Sequence, residues 1–318
     1  MSIKKPILGI ILPCYNEQEI LETTSKQLSI LMQDLKDRGV ICLSSFIVLV
    51  NDGSKDKTWD IISKLSEINK HIIGIKLSRN FGHQNALLAG LKYSSTKSDC
   101  SITIDADLQD DIHVIEDMVN AFNQGNHIVY GVRKERKTDK FFKKQTAQYF
   151  YKVMKMLGVE IIYNHADYRL ASSEVIKHLF RFEEVNLFLR GIFPLIGFKQ
   201  KSVYYNRLER TAGETKYPLN KMIAFALEGI TSFSIKPLRV VTQLGLLTFI
   251  ISIILALYSL YSYLFLETVP GWTSITLPIY FISGVQLLCM GILGEYIGKL
   301  YKETKKRPRY IIEETRDN

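Results

Sequence analysis

The stretch ITIDADLQDD, Ile102 to Asp111, decides the fold, because an apolar strand runs straight into four carboxylates, Asp105, Asp107, Asp110 and Asp111. Asp105 and Asp107 are two residues apart, so in extended backbone both side chains lean to one side. Magnesium takes one or two carboxylates together with substrate phosphates, which suits this pair to a metal-bound diphosphate. A calcium loop competes, since Asp105, Asp107, Gln109 and Glu116 fall at positions 1, 3, 5 and 12 of an EF-hand count. It fails at position 6, where Asp110 replaces the glycine that makes the turn. It fails upstream as well, where Cys100 to Ile104 reads as a buried strand. A solvated acidic loop with no ligand is the plainer alternative.

Outward from this stretch, short apolar runs alternate with longer periodic segments. Strands are predicted at Ile7 to Leu12, Phe46 to Val50, Ile72 to Leu77, Ser101 to Ile104 and His127 to Val132. Helices are predicted at Glu17 to Arg38, Lys57 to Asn69, His83 to Tyr93 and Ile112 to Asn123. That alternation is the pattern of a mostly parallel, doubly wound sheet. Ligands of such sheets bind at the carboxyl ends of the strands. There the chain carries Pro13 to Glu17, Asn51 to Ser54, Ser78 to Gly82 and Asp105 to Asp110, four polar loops on one edge. No GxGxxG follows the first strand and no GxxxxGK[ST] occurs, so neither a dinucleotide fold nor a P-loop is supported. From about Asp139 the alternation loosens, with one further strand predicted at Lys199 to Tyr205.

A length of 318 residues allows about two domains, and a hydrophobic fraction of 47% with mean hydropathy +0.03 is high for a wholly soluble chain. The excess lies near the C-terminus, where Val240 to Leu266 and Thr268 to Gly294 are each 27 residues without a charge. At about 1.5 Å per helical residue each can cross a hydrocarbon core of about 30 Å. Lys236 and Arg239 precede the first run, and Lys299, Lys302, Lys305, Lys306, Arg307 and Arg309 follow the second. The turn around Glu267 to Trp272 has no Lys or Arg, so the positive-inside bias puts both flanks, and the large N-terminal domain, in the cytoplasm. Gly245 and Gly284 would let the spans pack against another copy, a possible homo-oligomer.

The N-terminus is read as a strand and not as a signal peptide, because Pro13, Asn16 and Glu17 interrupt its apolar run before any cleavage site. Four cysteines without CxxC spacing fit reduced, mostly buried thiols. The net charge of +9 suits anionic lipid or nucleic acid. Its distribution favours a membrane surface over nucleic acid, since seven Lys or Arg between Arg133 and Lys144 lead into an amphipathic segment at about 140–157.

The motifs PCYNE at Pro13 to Glu17, VNDGSKD at Val50 to Asp56, LSRNFGHQNALLAG at Leu77 to Gly90, DADLQD at Asp105 to Asp110, DYRL at Asp167 to Leu170 and the Arg210 to Tyr217 loop occur in order along nearly the whole chain. As a set they resemble family 2 glycosyltransferases that act on polyprenyl phosphate, with the closest likeness to bactoprenol glucosyltransferases, relatives of dolichol-phosphate mannosyltransferases. The resemblance implies an α/β fold with a GT-A type doubly wound, mostly parallel sheet, then amphipathic interface helices and a two-helix transmembrane hairpin. Its divisions would be a cytoplasmic GT-A domain at 1–217, an interfacial segment at 218–239, the two spans within 240–294 and a cytoplasmic basic tail at 295–318.

The resemblance further implies that a nucleotide sugar, glucose from UDP-glucose foremost, gives up its sugar with inversion to polyprenyl (undecaprenyl) phosphate at the cytoplasmic face of the inner membrane. Asp52 and the turn containing Pro13, Tyr15, Asn16 and Glu17 would hold the nucleoside. Asp105 and Asp107 would bind Mg2+ or Mn2+ and the diphosphate, with Gln109 beside them. Arg79, Asn80 and Gly82 would shape the base or sugar end, and Arg133, Arg207 and Arg210 would face phosphates with Lys216 nearby. Asp107, Arg133 and Asp167 would take the catalytic parts, although Asp167 can equally pair with Arg169. His83 and His165 read as packing or hydrogen-bonding groups. A processive polysaccharide synthase is a rival, but it would carry QxxRW and more spans, and neither is present. A non-catalytic scaffold or lipid translocator would want polar or ionisable residues lining a path through the spans, whereas Val240 to Leu266 and Thr268 to Gly294 lack charge.

Overall fold

The computed structural model describes residues 5–134, 165–184, 188–206, 236–265 and 271–317. These fall in two compact units: an α/β unit that takes in the C-terminal residues from Pro308, and a helical unit.

In the α/β unit the strands are β1 (Leu8–Cys14), β2 (Phe46–Asn51), β3 (Ile72–Leu77), β4 (Cys100–Thr103), β5 (Ile128–Arg133), β6 (His165–Ser172), β7 (Gln200–Tyr205) and β8 (Ile312–Arg316). They form one eight-stranded sheet in the order β7-β5-β6-β4-β1-β2-β3-β8. β1 pairs in parallel with β2 and β4, β2 with β3, and β5 with β7. β6 runs antiparallel between β4 and β5, and β8 antiparallel along β3. The helices are α1 (Leu21–Asp37), α2 (Thr58–Ile68), α3 (His83–Ser94), α4 (Val114–Asn123), α5 (Ser173–Leu179) and α6 (Leu189–Ile196).

The central strands are unbroken apolar runs because they are buried along their whole length: every residue of β1 and of β2 is out of solvent. α3 lies close on them through Gly90, where a Cβ would come within 2.4 Å of Ile11 Cγ2 and 3.1 Å of Val50 Cγ2. All four cysteines are free; Cys14 and Cys100 are buried, while Cys42 and Cys289 are half-buried. Burial pushes the Cys14 and Cys100 thiols far above their ordinary range.

Three elements escape the apolar pattern. β6, HADYRLAS, carries Asp167 and a buried Arg169, so its charges hide a strand. α6 forms within the stretch from about Asp139 where the alternation loosens and no helix is predicted. The tail expected at 295–318 divides instead into the end of a helix and the edge strand β8, whose sequence IEETR has no apolar alternation. The helical unit comprises α7 (Lys236–Phe265) and α8 (Trp272–Thr304), which lie against each other. Each holds a stretch long and apolar enough to cross a membrane, Pro237–Leu255 and Phe281–Thr304, with no part of either stretch buried. The basic and amphipathic segment at about 140–157 and the interfacial stretch before α7 fall outside the described residues.

Gly90→Ala gains up to about 1 kcal/mol of helix propensity but forces a methyl into a β-branched neighbour, which costs about 1–3 kcal/mol. The expected outcome is a net loss of stability, read as a lower midpoint in denaturant unfolding of the detergent-solubilised chain.

Candidate active site

The carboxyl edge of the sheet gathers the loops after β1, β2, β3 and β4. Because β6 runs the other way, its first residues reach that same edge. Thr103 of β4 pairs with Arg169 of β6, which brings Asp167 beside the carboxylates that follow β4.

The first two loops are stitched together. Asn16, in left-handed backbone at φ 56°, donates its N–H to Ser54 Oγ at 3.0 Å and accepts at its side-chain oxygen from the Lys55 N–H at 2.9 Å. The Glu17 N–H donates to Thr58 Oγ1 at 2.9 Å. Tyr15 stays exposed at the surface of this turn, and Pro13, next to last in β1, is in register with Val50.

The third loop is docked on the second. Gly53 has φ 64°, and a Cβ there would stand 2.3–2.4 Å from the Arg79 and Asn80 backbone, so only glycine allows the approach. Asp52, almost fully buried, accepts from the Phe81 N–H at 2.7 Å and the Gly82 N–H at 3.0 Å. Burial raises its carboxyl and those two N–H groups oppose the rise. The group expected to hold a nucleoside thus also holds the backbone of the Arg79–Gly82 loop. The Arg79 guanidinium stacks 4.1 Å from the centroid of the Phe81 ring and donates to the Asn80 carbonyl at 3.0 Å.

The fourth loop carries the acids. Asp107 caps its own turn by accepting from the Gln109 N–H at 3.2 Å, and Leu108 between them has φ 53°. Asp105 keeps 36% of its side chain exposed. Burial above all, opposed by His83 and reinforced by Asp167, Asp110 and Asp107, pushes its carboxyl up to about 6. Asp110 is buried and accepts from Arg133 Nη2 at 2.9 Å and Nε at 3.1 Å and from Tyr205 Oη at 2.5 Å. Arg133, expected to face phosphates, is thereby tied to the loop after β4 with about a quarter of its side chain exposed (27%). The buried Asp110 Oδ2 and Gln109 Nε2 have no hydrogen-bond partner among the described residues.

Asp167 is held by two arginines. Arg169 Nη2 donates to Oδ1, and Arg190 donates from Nε to Oδ1 at 3.2 Å and from Nη2 to Oδ2 at 3.0 Å. Burial alone would raise this carboxyl, but Arg190 and Arg169 hold it well below the usual carboxylate range. A carboxylate so held is a poor proton acceptor. Arg169 in turn is fully buried, stacked 4.6 Å from the Phe193 ring centroid. His83, expected as a packing or hydrogen-bonding group, lies on the first turn of α3 beside two acids. Its Nε2 stands 3.6 Å from Asp105 Oδ1 and 3.7 Å from Asp167 Oδ2, bridging the two carboxylates. Sequence reasoning missed Arg190; the signal was an arginine inside the apolar run LFLRGIF, which needs a partner. Arg207, Arg210 and Lys216 lie outside the described residues.

No three His, Cys, Asp or Glu side chains gather into a complete ion site among the described residues. A divalent ion held by Asp105 and Asp107 would have to complete its shell with substrate oxygens, the habit of Mg2+ at phosphates. Such an ion would offset the negative charge of Asp167, Asp110 and Asp107, which adds to burial in raising Asp105.

The family profile described as glycosyl transferase family 2 matches residues 9–180. The chain belongs to that family. A second profile, the GtrB C-terminal hairpin, matches residues 236–300, the span of α7 and most of α8. Among its relatives, the chain is 50% identical to the uncharacterized glycosyltransferase YkoT of Bacillus subtilis, over 98% of this chain and 93% of that one. It is 40% identical to the bactoprenol glucosyl transferase of Shigella phage SfV, over 96% and 97%. Among solved structures it overlaps the mannosyltransferase PcManGT of Pyrobaculum calidifontis at 16% identity, covering 74% of this chain and 65% of that one with a TM-score of 0.48. It is a family 2 glycosyltransferase with an apolar C-terminal hairpin.

Two expectations follow for the charges. Arg190→Met leaves Asp167 one guanidinium short and should lower unfolding stability by about 1–3 kcal/mol. Because the depressed Asp167 carboxyl contributes stability that is present above about pH 3.9 and fades as pH falls below it, the difference between variant and parent should shrink in acid. Asp105 has the opposite sign: protonated in the folded chain up to about pH 6, it contributes stability at low pH that is lost as pH rises through 6. Because Asp105 is more than a third exposed, solvent screens much of this, and Asp105→Asn should raise the ligand-free melting temperature at pH 7.5 by about 2 °C, for less than about 1 kcal/mol, and by less at pH 4.5.

Proposed function

We propose that this glycosyltransferase moves a single sugar, glucose from UDP-glucose, to the phosphate of a membrane-held polyprenol such as undecaprenyl phosphate, on the cytoplasmic side of the membrane. The observation that carries this reading is the likeness, along nearly the full length and through the hairpin, to proteins named bactoprenol glucosyl transferases. The apolar hairpin gives the acceptor lipid's own solvent a place beside the chain, and the basic residues flanking it favour a cytoplasmic catalytic unit.

The donor would lie along the carboxyl edge. The paired Pro13–Glu17 and Asn51–Ser54 loops would receive the nucleoside, with the Arg79–Gly82 loop closing one end. Asp105 and Asp107 would hold Mg2+ or Mn2+. That ion, when bound, neutralises charge on the departing diphosphate as the C1–O bond breaks. The phosphate monoester oxygen of the acceptor has a second pKa near 6 and is already largely ionised at neutral pH, so no strong general base is required. The saturated Asp167 agrees with that: its part would be to set Arg190 and Arg169 in place at the acceptor end. The new C1–O bond would form on the face opposite the leaving nucleoside diphosphate, with inversion.

The hard step is to bring two anions together. Arg133, with Arg207, Arg210 and Lys216, would lower that barrier by charge-assisted contacts with phosphate.

The test is transfer from a panel of radiolabelled nucleotide sugars to undecaprenyl phosphate, with and without EDTA. One sugar per lipid, from UDP-glucose above the others and abolished by EDTA, is expected. Asp107→Asn should cut kcat/KM by about a hundredfold, about 3 kcal/mol of lost charge stabilisation. Polymer formed without lipid acceptor, or full transfer by Asp107→Asn, would overturn the reading.

A further inference from the structure

We infer that the C-terminal strand β8 is a working part of the donor site: it holds the Arg79–Gly82 loop in its receptive shape from outside the sheet. The inference rests on the donor reading above. β8 pairs along the outer edge of β3, with Gly74 opposite Arg316, Ile75 opposite Thr315, Lys76 opposite Glu314 and Leu77 opposite Ile312. The pairing then goes one residue beyond the strand, since the Ser78 N–H donates to the Ile311 carbonyl at 3.0 Å. The next residue is Arg79. Because β8 is antiparallel to β3, its first residues fall at the carboxyl edge of the sheet, where the loops gather.

The loop is thus gripped from two sides. From within the sheet, Gly53 backs onto the Arg79–Asn80 backbone and Asp52 takes the Phe81 and Gly82 N–H groups. From outside, the tail takes Ser78. Arg309 fastens the start of the tail by donating to the Phe182 carbonyl, Lys76 pairs with Glu313 at 3.0 Å, and Lys97 pairs with Asp317. These exposed ion pairs are each worth about 0–1 kcal/mol. The backbone ladder is therefore the larger contribution, as in any strand added to a sheet edge.

The origin of the tail gives this its functional weight. α8 ends at Thr304 and residues 305–311 lead straight into β8. The chain that leaves the apolar hairpin is the same chain that shapes the donor loop, so an intact anchor and a formed donor pocket are linked through covalent connection. A loop released on one side samples shapes that cannot bind, and affinity falls in proportion to the competent fraction.

The experiment compares the full chain in detergent with a chain ending at Arg309, using UDP with Mn2+ in titration calorimetry and amide hydrogen exchange across Ser78–Gly82. Expected are a Kd for UDP raised about tenfold, about 1.4 kcal/mol, with exchange accelerated at Ser78–Gly82. Both should return toward parental values when a synthetic peptide of residues 308–318 is added. If the shortened chain does not fold, Ile312→Pro in the full chain breaks the pairing at one position and is read the same way. Unchanged Kd and unchanged exchange in a folded variant overturn the inference, as does acceleration spread evenly over the sheet. If the full chain binds no UDP, the donor reading falls, while exchange at Ser78–Gly82 still decides what the tail does to the loop.

Discussion

Like charges brought to one edge are the constraint around which the catalytic unit is arranged. Two carboxylates about 5 Å apart at an effective dielectric of about 20 repel by about 3 kcal/mol, a large share of an ordinary domain's stability. Each acid at the carboxyl edge has its own answer. Asp167 is locked between Arg169 and Arg190, Asp110 between Arg133 and Tyr205, and Asp52 accepts two backbone N–H groups. Asp105 is raised, as Asp52 is, and reaches about 6, but among the described residues it has no backbone N–H pair of that kind and is partly open to solvent. The arginines thus do two things with one set of contacts: they keep the sheet edge from flying apart and they leave residual negative charge at Asp105, where the proposed donor site would take a cation.

How much of this the residues disclose on their own depends on which face of an element its side chains fill. β1 to β4 are legible because strands covered on both sides read as apolar runs, FIVLVN being the plainest. The carboxylates after β4 are legible because Asp105 and Asp107 follow such a run. β6 is not, since a buried arginine and its aspartate look like solvent-facing residues until the partner is known. Arg190 is hidden for a related reason, its partner lying 23 positions away on another element. β8 is the extreme case: IEETR carries no pattern at all, and its place depends on pairing with a strand more than 230 residues earlier, as the Lys76–Glu313 contact shows. Local periodicity cannot encode a partner that distant.

The two ends of the chain's chemistry are met by different physics. The proposed donor side is built from loops tied by hydrogen bonds, among them Asp52 N–H to the Cys14 carbonyl and Ser54 N–H to Asn51 Oδ1, which suits a polar, water-soluble ligand. The helical unit carries many exposed apolar side chains along the middle of α7 and α8, which suits hydrocarbon. A glycosyltransferase that must handle both a nucleotide and a lipid gains from keeping these surfaces on separate units, since neither has to compromise its own packing to serve the other.

The four thiols divide by environment in a way that makes the chain its own reporter of sidedness. Cys14 and Cys100 are sealed in the sheet with their thiolates suppressed, so they should ignore alkylating reagents. Cys42 is reachable on the catalytic unit, and the Ser44 hydroxyl hydrogen-bonded to its sulfur lowers its pKa. Cys289 sits within α8. A membrane-impermeant maleimide applied to sealed vesicles of either orientation would mark Cys42 only when the catalytic unit faces the reagent, with no engineered cysteine required.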